Sequence, residues 1–148
     1  MQMIKELGAS PTPIAWGELY TSLQQGVVDG AENNPPSFYL SGHYEVCKYY
    51  SLDEHTMVPD IVLIGMKTWN KLPADVQQMV QEAANESVEH QKQLWKETTE
   101  NALKEVQEHG VKVYYPEKAP FREKVKPMHE SYKGTEVGEL IDEINKVQ

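Results

Sequence analysis

"PADVQQMVQEAANESVEHQKQLWKETTENALKEVQEHG", residues 73–110, is the stretch on which the fold turns. Ala74 to His109 is 36 residues without proline or glycine, about 54 Å if helical throughout at ~1.5 Å per residue. Pro73 suits the first turn, where its missing N–H is not needed, and Gly110 suits the end, where a left-handed residue closes the helix. Val76, Met79, Val80, Ala83, Ala84, Val88, Leu94 and Trp95 make an apolar stripe, which Leu103 and Val106 continue. A single small domain does not need so long a helix. It either kinks or serves two lobes.

Working outward, "VKVYYP" after Gly110 alternates as a strand does. Phe121 to Tyr132 reads as a helix interrupted or bent near Pro127, and Val137 to Val147 as a last short amphipathic helix. Upstream, "YYSLDEHTMVPDIVLIG" holds two strand-like pieces, Tyr49 to Leu52 and Ile61 to Ile64. The second is a continuous apolar run of the kind covered on both faces. Met3, Ile4 and Leu7 share a helical face that ends at Gly8. Pro11 and Pro13 restrict "PTPIAW" to an edge or a connector. Trp16 to Gln25 reads as a helix closed by Gly26, followed by a short strand at Val27-Val28. Pro35-Pro36 opens a helix through Phe38, Tyr39 and Leu40 toward Tyr44. Helices and short strands therefore alternate, which predicts an α/β fold with a mostly parallel sheet.

Composition narrows the function. A net charge of −9 from 14 basic and 23 acidic residues leaves little to displace counterions from phosphates, so nucleic acid is not an expected partner. The densest basic cluster, Arg122, Lys124 and Lys126, is diluted by Glu123 and reads as a solvated helix face. Cys47 is the only cysteine, so no internal disulfide forms, and its Val and Tyr neighbours suit a core thiol. No apolar run of ~18 residues spans a bilayer and no signal peptide is present. The five histidines show no metal-ligand spacing, and neither a nucleophile elbow nor a phosphate loop occurs. No enzyme and no cofactor is expected.

The remaining polar signal is "QQGVVDGAENNPPSFY", residues 24–39, where apolar chain runs into Glu32-Asn33-Asn34 before two prolines. Singly, Asn33 reads as a turn residue and Trp16 as a core aromatic. Together, a strand end that delivers Asn33 beside a helix N-terminus is a place to hold an anion, with the amide donating and helix N–H groups adding positive potential. Asp53-Glu54-His55 is the one close acid–histidine cluster. On a strand, Asp53 and His55 would share a face.

Two stretches carry a resemblance: "ELGASPTPIAWGELYTSLQQGVVDGAENNPPSFY", residues 6–39, and "HYEVCKYYSLDEHTMVPDIVLIGMKTWNKLP", residues 43–73. Their GA-x-PTP, Trp16, LQ-x-G-x-VDG-x-EN ending at Asn33, and W-x-x-LP resemble the DctP-type solute-binding proteins of TRAP transporters (tripartite ATP-independent periplasmic systems). The resemblance implies a two-lobed protein that closes on a small organic acid anion and hands it to a sodium-driven TRAP membrane permease. It implies that Asn33 donates to the ligand carboxylate, that Trp16 lines the same cleft, and that His55 contacts the ligand directly or through water. Asn34 and Tyr39 are further candidates. Residues 1–55 and 111–148 would lie mainly in ligand-binding lobe II. Residues 56–110 would form the return segment to lobe I and the long bracing helix. The Asn-Asn-Pro stretch leans toward a sugar acid or uronate over a C4-dicarboxylate. The resemblance implies a periplasmic location, or else an extracytoplasmic, membrane-associated one.

One departure matters. The family clamps its carboxylate with an arginine, whose planar fork matches two oxygens. Here the single arginine is Arg122, in an expected surface helix. The resemblance therefore implies the C-terminal half of a longer binding protein, impaired in binding alone and exposing apolar surface around Ile61 to Ile64. Self-association or domain exchange would follow. Two other readings compete. A helical protein–protein interaction module could be built on residues 74–109, although Gln91 and Thr98 weaken a coiled-coil seam. An enzyme using Asp53 and His55 is the third.

Overall fold

In the computed structural model, which describes residues 1–147, the long segment is one helix. Taken in chain order, the elements are α1 (Gln2–Glu6), α2 (Trp16–Gln24), α3 (Pro35–Leu40), α4 (His43–Val46), β1 (Tyr49–Ser51), α5 (Met66–Trp69), α6 (Ala74–Glu108), β2 (Lys112–Tyr114), α7 (Ala119–Glu130) and α8 (Glu136–Asn145). Helix α6 has 35 residues. Its end is a full Schellman closure: Gly110, at φ +84°, donates to the Gln107 carbonyl at 2.9 Å, and Val111 donates to Val106 at 3.0 Å. Val106 and Val111, the two residues joined by that last bond, are both buried.

The described residues divide into two compact units. The first comprises residues 1–31, 49–55 and those from Lys112 onward. Within it β1 and β2 pair in parallel, in the register Tyr49↔Lys112, Tyr50↔Val113 and Ser51↔Tyr114. Parallel strands need a long crossover, and this one runs through α6. Helix α1 packs on α7, and α7 on α8. The second unit comprises residues 32–48 and 56–111, with α3 and α4 packed together and α3 lying on α6. Its buried residues are Pro36, Phe38, His43, Ala102, Val106 and Val111, so its core sits under α3 at the C-terminal third of α6. Upstream of this core the α6 stripe is open, with Met79, Val88, Leu94 and Trp95 exposed.

The α/β class and the parallel pairing hold, with helix predominating. Three local expectations fail for physical reasons, and one of the two alternatives at a fourth position, Pro127, is ruled out. Val27-Val28 is not a strand: Val27 donates to Ser22 at 2.9 Å and Gly26 to Leu23 at 3.2 Å, so the pair is spent in closing α2. Ile61 to Ile64 has no partner strand among the described residues and is not covered. These four are 72%, 91%, 84% and 44% exposed in extended chain. The helix opened by Pro35 does not run unbroken to Tyr44, because Gly42 at φ 70° divides it into α3 and α4. Nor does Pro127 interrupt α7, which is continuous over its 12 residues.

Candidate functional site

The entry to α3 fixes the two asparagines. Asn34 is the N-cap, and its side-chain oxygen accepts from the Ser37 N–H at 2.9 Å. Asn33 Oδ1 accepts from the Asn34 N–H, also at 2.9 Å. That bond fixes the Asn33 side chain against the entry to α3. The expected help from helix N–H groups is absent, however. Pro35 and Pro36 have no N–H, the Ser37 N–H is taken by Asn34, and Phe38 donates to the Asn34 carbonyl at 3.0 Å. Whatever donation this corner offers comes from side chains.

Below that corner an aromatic row ties α3 and α4 to α6. Tyr39 and Tyr44 meet at 5.5 Å between ring centroids, and Tyr44 meets His109 edge-on at 5.1 Å. The charge of Glu105 raises the pKa of the Tyr39 phenol, with burial, Tyr44 and hydrogen bonding toward Glu105 adding to the effect. Lys48 reaches the His109 carbonyl at 3.4 Å, placing a cation at the C-terminal end of α6. Burial lowers the His43 pKa and raises that of the Cys47 thiol, which leaves the thiol a poor nucleophile.

The other candidates belong to the first unit. Trp16 opens α2 and is 55% exposed. Beyond β1 the chain is not a strand, because Glu54 adopts φ 51°. His55 Nδ1 nevertheless meets Asp53 Oδ1 at 2.8 Å, and the Glu54 carboxylate pairs with Lys118. Asn33, Asn34 and Tyr39 thus share one unit, while Trp16 and His55 share the other. Sequence reasoning did not find Glu54, Lys118 or Glu105. Glu54 lay inside a flagged cluster, but Lys118 is 64 residues from it and carries no local signal. Among the described residues no group of three or more His, Cys, Asp or Glu could hold a metal ion, and no helix is long and apolar enough to cross a membrane.

The sequence profile of the bacterial extracellular solute-binding proteins of family 7, DctP, matches residues 1–135. The chain belongs to the DctP family. A solute-binding protein of Chromohalobacter salexigens is 38% identical over 151 residues, covering 100% of this chain and 45% of the relative. A TRAP periplasmic solute-binding protein from the same organism, solved with bound D-glucuronate, has a TM-score of 0.93 at 38% identity, covering 99% of this chain and 50% of the solved one. One from Xanthobacter autotrophicus Py2, solved with bound β-D-galacturonate, gives 0.87 at 38% identity, covering 99% and 48%. The chain therefore spans about half the length of the DctP relatives it matches. The family is one of binding proteins, not enzymes.

Proposed function

We propose that this chain is part of the extracytoplasmic, periplasmic solute-binding subunit of a TRAP transporter, which captures a small organic acid anion and delivers it to the membrane permease. The family match over residues 1–135 carries this reading. The uronates bound by two similar solved proteins favour a sugar acid over a C4-dicarboxylate as ligand. Asn33 donates to the ligand carboxylate, an assignment supported by the fixing of its side chain at the entry to α3. Trp16, His55, Asn34 and Tyr39 are the further contacts. Residues 1–55 and 111–148 belong mainly to the ligand-binding lobe, and residues 56–110 to the return segment and bracing helix. The grouping of 1–31, 49–55 and 112 onward supports this division, except that 32–48, with Asn33, groups with α6. Ligand contacts favour a closed state, and no covalent step is involved.

The chain by itself is impaired in binding. Its one arginine, Arg122, is exposed on α7, so a carboxylate clamp must come from elsewhere. Calorimetric titration of residues 1–148 with D-glucuronate should give no micromolar binding, and micromolar binding would overturn the impairment. The exposed run from Ile61 to Ile64, with the open stripe of α6, should drive self-association or domain exchange. A compact monomer in light scattering at high concentration would contradict that. The competing helical interaction module predicts that the isolated α6 peptide keeps its helicity, which circular dichroism decides.

A further inference from the structure

Helix and strand chemistry leave one feature of the first unit unexplained, the turn that follows β1. The ladder's last bond is Leu52 N–H to the Tyr114 carbonyl at 2.9 Å. Two residues later Glu54 takes φ 51°, the one non-glycine residue at positive φ among the described residues. A side chain is unfavourable there, and such residues persist where their surroundings hold them. One ion pair and one hydrogen bond supply the hold. The Glu54 carboxylate meets Lys118, at the N-cap of α7, and His55 Nδ1 meets Asp53 Oδ1 at 2.8 Å with both side chains largely buried.

We propose that Asp53, Glu54 and Lys118 are positioning residues for His55: the Glu54–Lys118 pair locks the left-handed turn, and the turn presents His55 to Asp53 with the proton on Nδ1. This rests on the reading of His55 as a ligand contact, but its structural content stands without ligand. An ionised carboxylate only accepts, so the hydrogen between the two groups belongs to the imidazole nitrogen. While the ring is neutral, Nε2 is then an acceptor. Nε2 is itself buried, so the device fixes the tautomer and ring orientation of His55 and not the choice of ligand. Lys118 touches neither His55 nor ligand in this scheme, and acts only through Glu54.

Nitrogen-15 NMR of the full chain without ligand, at a pH where imidazoles are neutral, reads the tautomer directly. His90 and His129, exposed on α6 and α7, serve as internal references. His55 should show the Nδ1–H form in roughly five-fold or greater excess, whereas the references favour Nε2–H as free side chains do. Lys118→Ala and Asp53→Asn should each bring His55 toward the references, and Lys118→Arg should restore the excess. The backbone amide spectrum verifies that each variant is folded, and Lys118→Gln replaces alanine if it is not. The proposal is overturned if wild-type His55 is in the Nε2–H form, or if its tautomer is unmoved by both substitutions. Because no ligand is present, failure of acid binding leaves this result intact, and failure here leaves acid binding to be judged on its own titration.

Discussion

Phe38→Ala tests how the α3 corner, with Asn33 and Asn34, is held. Helix α3 has six residues, too few to be stable alone, so it exists because it docks on α6. Phe38 is its largest buried side chain, 6% exposed, and the buried apolar residues of the same unit on α6 are only Ala102 and Val106. Truncating a buried phenylalanine costs about 3–5 kcal/mol. The lower end, about 3 kcal/mol, is expected here because a short helix at a small core can partly collapse into the space. Hydrogen exchange reads the effect where it occurs. The Ser41 amide, which donates to Ser37, and the Val111 amide, which donates to Val106, should lose protection by the full amount. Phe38→Leu, which keeps most of the volume, should cost less than about 1.5 kcal/mol. Under the proposed function, a fusion of this chain to the remaining half of the C. salexigens relative should also bind acid more weakly with Phe38→Ala, because Asn33 and Asn34 lose their platform. A loss under ~1 kcal/mol, with α3 amides still protected, would refute the docking argument.

Three further outcomes follow from single residues. Asn34→Ala removes the cap bond to Ser37 and should cost about 1 kcal/mol in urea unfolding, while Asn34→Asp should be nearly neutral. Gly138→Ala would place a methyl 2.3 Å from the Tyr132 carbonyl oxygen and 3.0 Å from its carbon, so α8 should shift at a cost of about 1–3 kcal/mol, seen as lost protection of the Glu139 amide. His43 is buried with its pKa below 6.5, so the unfolded chain takes up a proton before the folded one does. Stability should fall as pH drops below 6.5 and level off beneath the lowered value, and urea midpoints of His43→Gln should lose that part of the slope.

How far the sequence disclosed this structure depended on the range of the interaction behind each feature. Pro73 and Gly110 bracketed α6 to within a residue because helix ends are set by local backbone chemistry, and Gly8 and Gly26 behaved likewise. Pro35-Pro36 was legible as a helix opening for the same reason, but the Asn34 cap was not, and the loss of N–H donors at two prolines and that cap outweighed the anion-binding potential expected there. Ile61 to Ile64 misled as a covered strand, because a strand is defined by its neighbours and no described strand lies beside it, whereas the apolar exposure expected there for a half-length chain is present. The Asp53–His55 contact was visible as spacing, though on a turn and not a strand. Lys118 was invisible, since only folding brings α7 to Glu54.

The most direct test joins this chain to the remaining half of the C. salexigens relative and titrates D-glucuronate into the soluble, cooperatively folded product, with and without Asn33→Ala. An amide donating to a carboxylate contributes about 1.5–3 kcal/mol, so the substitution should weaken micromolar binding roughly ten- to hundred-fold. Equal affinity with alanine at position 33, or a folded product that binds no sugar acid, would contradict the account.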